Sequence, residues 1–186
     1  MTISDIGEAY ETTTVATTTT GPGERADLLE TLAQHRYFLR FTTRDLDDEQ
    51  AGRRTTVSRL CLGGLIKHVT GVERAWVDFI LHGTEAMPGF DEEALAKHAE
   101  SFEMLPGETL AGLLEEYEAV ARRTDQVVAE LPDLDIFHAL PEAPWYEPGI
   151  RWSARRVLLH IIAETSQHAG HADIIREALD GSKSMG

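Results

Sequence analysis

One helix-periodic stripe near the C-terminus carries the side chains best suited to chemistry. Val157, Ile161, Glu164, His168, His171, Ile175 and Leu179 step by four, three, four, three, four and four, which keeps all seven on one face of one helix. The ends of that face are aliphatic, and its middle is Glu, His and His. A carboxylate buried in a core is costly unless it is paired or bound to a cation, so a divalent metal would account for all three residues at once. Glu164 and His168, four apart, project with β-carbons about 5–6 Å apart and can meet one ion. His168 and His171, three apart, can do the same, and spacing does not choose between the pairs. The metal-free alternative is a buried hydrogen bond between Glu164 and His168.

A third ligand has to come from another helix. Cys61, Leu65, His68, Val72, Trp76 and Phe79 form a second helical face, and His68 sits inside it. Alone, His68 reads first as a core histidine bonded to a neighbour. Bundles build metal sites from side chains on facing helices, and His68 opposite Glu164 and His168 completes a set of two imidazoles and one carboxylate. Such a set suits zinc and leaves a fourth position open; nickel, iron and manganese accept the same donors. His171 then orients a ligand, acts as a base, or stands as a spare ligand, with the orienting role slightly ahead. His160 is offset from the stripe and flanks the pocket, and His35, His82, His98 and His138 receive no role. Trp76, Trp145 and Trp152 are candidate cleft walls, although core packing is the ordinary fate of such residues. Arg74, Arg151 and Arg176 are candidate carboxylate clamps, with surface solvation as their ordinary fate.

The elements that must position these residues are helical. An acidic first turn, Glu24 and Asp27, opens a helix running to about Asp45. After the polar stretch DLDDEQAGRRTT, Ser58 is expected to cap a second helix that ends at His82 before Gly83. A short helix is expected within DEEALAKHAESFEML, and Leu110 to Leu131 form an amphipathic third helix closed by Pro132. Pro141, Pro144 and Pro148 keep the next connection out of helix, and it is long enough to form a lid. Ser153 caps the last helix and Gly181 ends it. The expectation is an all-α fold, a four-helix bundle with long crossover connections, over residues 24–181. A Thr-rich leader over 1–23, extended or flexible, precedes it, and a tail over 182–186 follows.

The net charge of −15, with scattered basic residues, argues against nucleic-acid binding. No apolar run approaches the roughly 20 residues of a membrane span, and the N-terminus lacks the pattern of a secretion signal. With Cys61 as the single cysteine, a cytoplasmic location is expected. There is no G-x-S-x-G turn, phosphate loop or dinucleotide fingerprint.

The segments GGLIKHVTGVERAW and LLHIIAETSQHAGHADIIREALDG resemble the DinB-like superfamily, in its actinobacterial branch related to mycothiol-dependent enzymes. The resemblance implies a four-helix bundle whose divalent metal, zinc or nickel, is held by His68, Glu164 and His168. His171 stands where many relatives have the Gln of an H-x-G-Q pattern, which implies an orienting or substrate-side role. Glu at position 164 resembles mycothiol-dependent maleylpyruvate isomerase, but that enzyme has a further C-terminal domain and this chain ends five residues after Gly181. The implied activity is therefore a metal-dependent S-transfer in detoxification. It would join a low-molecular-weight thiol of the mycothiol type, as cosubstrate, to a small electrophile, in a homodimer. A metal- or ligand-binding bundle without turnover is the alternative.

Overall fold

In the computed structural model, residues 23–87 and 89–184 are described; the Thr-rich leader, apart from Gly23, lies outside them. The four long helices are α1 (Glu24–Phe41), α3 (Leu62–His82), α5 (Leu110–Glu130) and α6 (Ala154–Asp180), with the shorter α2 (Asp48–Gly52) and α4 (Glu92–Glu100) in the crossovers. Local chemistry sets their ends. Ser153 accepts from the Arg156 N–H at 3.2 Å and starts α6, and Thr109 does the same for α5 through Gly112. Gly181 ends α6 with φ of 81°, a left-handed conformation that disfavours a side chain, and returns its N–H to Glu177. None of the helices among the described residues is long and apolar enough to cross a membrane.

Three boundaries differ from expectation. Helix α1 stops at Phe41, because the Thr42 and Thr43 hydroxyls turn back to the carbonyls of Leu39 and Arg40. Cys61 rather than Ser58 caps α3, its sulfur accepting from the Gly64 N–H, while Ser58 serves a turn before it. The polar stretch after α1 contains α2, opened by a reciprocal capping box between Asp47 and Gln50. The proline-rich connection is also braced: β1 (Phe137–Ala139) pairs antiparallel with β2 (Arg151–Ser153), with His138 opposite Trp152.

Helix α1 packs on α6, and α3 packs on both α5 and α6, so α1 and α3 face each other across the bundle axis. Two apolar clusters fill the interior. One gathers Leu32, Trp76, Phe79, Val128, Val157 and Ile161; the other gathers Leu39, Leu65, Leu113, Tyr117, Ala172 and Ile175. Between them lies a polar layer of Arg36, His68, Glu73, Thr124, Thr165 and His168, all buried. Glu73 is fully buried and takes two bonds from the Arg36 guanidinium and one from Thr124 Oγ1 at 2.5 Å. Arg36 also bonds Asp125 at 2.9 Å.

Removing one partner of such a pair strands a buried charge. Arg36→Met is therefore expected to lower the urea-measured unfolding free energy by about 3–5 kcal/mol. The double variant Arg36→Met with Glu73→Leu should recover much of the loss. A single-variant loss below about 1 kcal/mol, as for an exposed pair, would contradict this role.

Candidate metal centre

The centre starts from a glycine pair. A β-carbon on Gly64 would lie 2.0 Å from the Phe102 carbonyl oxygen, and one on Gly63 would lie 2.1 Å from the Met104 sulfur. Glycine at both positions lets the crossover after α4 lie directly on the first turn of α3. That approach brings Phe102 onto the His68 ring, centroids 3.9 Å apart and planes within 23°. Ser101 Oγ reaches His68 Nδ1 at 2.9 Å. His68 is thereby fixed on its outer side, and its ring meets that of His168 on α6 edge to face, 4.9 Å between centroids.

Across from it, Glu164 and His168 stand four apart on α6, as helical geometry requires. The three residues His68, Glu164 and His168 offer ligand atoms that all lie within 4.8 Å of one another. His168 Nε2 faces Glu164 Oε2 at 3.6 Å, and His160 Nε2 faces the other carboxylate oxygen at 3.8 Å. His171 is not in this group. Its Nδ1 lies 3.4 Å from His168 Nδ1, on the side of that ring away from Glu164.

The protonation states match what a metal ligand set needs, neutral imidazole and ionised carboxylate. Burial, reinforced by the neighbouring His168 and His98, pushes His68 down to about 4. The neighbouring His168, 3.6 Å away, holds Glu164 below the usual carboxylate range despite its partial burial. Burial likewise lowers His160. Two imidazoles and one carboxylate fit a divalent cation of the zinc or nickel type, and Glu164 remains partly open to solvent.

Beside His68 runs a cleft of about 570 Å³ walled by Val72, Ala75 and Trp76 of α3 and by Ala94, Lys97 and His98 of α4. Trp76 stacks on Trp152 at 4.9 Å, and His160 packs edge-on against both. These two tryptophans back the site, whereas Trp145 is exposed and meets Phe90. The arginine candidates are engaged elsewhere. Arg74 pairs with Glu116, Arg151 lies over the Phe137 ring, and Arg176 is buried, donating to the carbonyls of Thr42 and Arg44. His35 and His82 lie outside the cluster, and His138 donates to the Ile80 carbonyl. His98, given no role from sequence, lines the cleft and touches the His68 ring edge-on. Ser101 and Phe102 are the neighbours that periodicity missed; the Gly63–Gly64 pair was the available signal.

A histidine held low in the fold makes stability acid-sensitive. Between the ordinary value of 6.5 and about 4, the unfolded chain binds a proton that the folded chain refuses, so stability falls as pH falls. In metal-free protein this contribution should reach about 3 kcal/mol. Denaturation curves across this window should therefore be steeper in pH for the wild type than for His68→Gln. Superimposable pH dependences would contradict the assignment.

Among known proteins, no curated sequence matches the chain. The mycothiol-S-transferase family model matches residues 27–181, which include both helices of the cluster and the crossover that covers His68. The chain belongs to the mycothiol-S-transferase family, a DinB-like family.

Proposed function

We propose that the chain is a divalent-metal-dependent transferase that joins the sulfur of a mycothiol-type thiol to a small electrophile. The observation that carries this reading is the convergence of His68, Glu164 and His168 beside an open cleft. Family membership supports the thiol as partner. Zinc is the first candidate ion and nickel the second. A divalent ion held by His68, Glu164 and His168 would supply the positive charge that favours thiolate over thiol at neutral pH.

The chain's own residues do the rest. His68 and Glu164 present a neutral nitrogen and an ionised oxygen without a prior proton exchange. Val72, Ala75 and Trp76 offer an apolar wall for the hydrocarbon part of an electrophile, and Asp91 and Lys97 keep the outer rim polar. His171 acts on His168. If the His168 Nδ1–H donates to His171 Nδ1, the His168 Nε2 is left unprotonated toward Glu164. The same bond occupies the nitrogen that His171 would need as a base, which favours orientation over proton transfer as its role.

The test is conjugation of a generic aromatic electrophile by zinc-loaded protein with mycothiol. His68→Ala and His168→Ala should each lower kcat/KM by about 100-fold or more, in line with removal of metal ligands or their supports. His171→Gln should lower it less, through weaker metal retention. Equal rates in wild type and both alanine variants would overturn the proposal. Stoichiometric zinc without any conjugation would favour a binding bundle lacking turnover.

A further inference from the structure

We propose that Ser101 is a positioning residue that selects the tautomer of His68, holding the proton on Nδ1 and leaving Nε2 bare on the side of Glu164 and His168. A serine hydroxyl has one hydrogen to donate. Here that hydrogen goes to the His98 carbonyl, with Ser101 Oγ 2.6 Å from it. Oγ can then only accept from His68 Nδ1 at 2.9 Å, so Nδ1 carries the proton. The His98 carbonyl thus polarises Ser101, and Ser101 dictates which ring nitrogen remains a donor of electrons.

The device depends on the crossover staying docked. Helix α4 has no buried side chain among its residues, so it cannot hold Ser101 in place by its own packing. The anchor is the next residue. The Phe102 carbonyl sits where a side chain on Gly64 would be and accepts from Cys61 Sγ at 3.7 Å, while the Phe102 ring stacks on His68. Ring plane and tautomer are therefore set by two adjacent residues of a segment that also forms one wall of the cleft. The functional consequence rests on the metal-centre reading; the tautomer assignment does not.

Nitrogen-15 NMR of the histidine rings in metal-free protein, paired with competitive zinc titration, separates the two. Wild type should show His68 with Nδ1 protonated and Nε2 bare. Ser101→Ala should lose that single tautomer and bind zinc about 10- to 100-fold more weakly. Ser101→Thr, which keeps the hydroxyl, should restore both. A wild-type ring protonated on Nε2 overturns the proposal, as does Ser101→Ala with unchanged tautomer and zinc affinity. A wild type with the expected tautomer but no zinc binding would sustain the tautomer assignment and remove the metal-centre reading instead.

Discussion

Buried polar groups in the middle of an apolar bundle must find partners within it, and this constraint shapes the whole molecule. Arg36, Glu73, His68 and His168 are each at least nine-tenths buried, between two apolar clusters. Glu73 and His68 share α3 but are five residues apart, about 140° around the helix, so they look in different directions. Glu73 looks toward α1 and α5, where Arg36 and Thr124 satisfy it within the protein. His68 looks toward α6, where the facing groups are Glu164 and His168. The first half of the layer closes on itself; the second brings three candidate ligand groups within 4.8 Å of one another.

That division relates stability to function. The Arg36–Glu73 pair crosses the bundle axis and orients α3, and therefore orients His68 on its opposite face. Two charges buried together cost desolvation that good geometry only offsets, so the pair's value lies in fixing which way α3 faces. The apolar clusters supply the net stabilisation on either side of it. Around the ligand half, the outer wall is lighter: a crossover seated on two glycines and an exposed short helix. The inner face of the site belongs to α3 and α6, and the cleft runs between α3 and the exposed α4.

Much of this was legible in the sequence because it obeys a single period. The α6 stripe, the His68 face of α3, the Ser153 cap and the Gly181 stop are local signals, and α6 and α5 have close to the bounds that those signals imply. What escaped depends on contacts between distant segments. Glu73 adjoins Val72 and looks like a surface charge until Arg36, thirty-seven residues away, is brought to it. Arg176 looked like a solvated arginine, yet it is buried against the carbonyls that end α1. Ser101 has no periodic signal, since its role follows from where Gly63 and Gly64 let another segment approach. The three-residue strands were too short and too close to prolines to show alternation.

Whether one divalent ion is held jointly by α3 and α6 can be read from X-ray absorption spectroscopy of the zinc-loaded protein. Joint binding predicts a first coordination shell with two imidazole nitrogens and carboxylate oxygen, at about 2.0–2.2 Å. It also predicts loss of one imidazole in His68→Ala with the other retained. A shell without imidazole, or one that His68→Ala leaves unchanged, would contradict it.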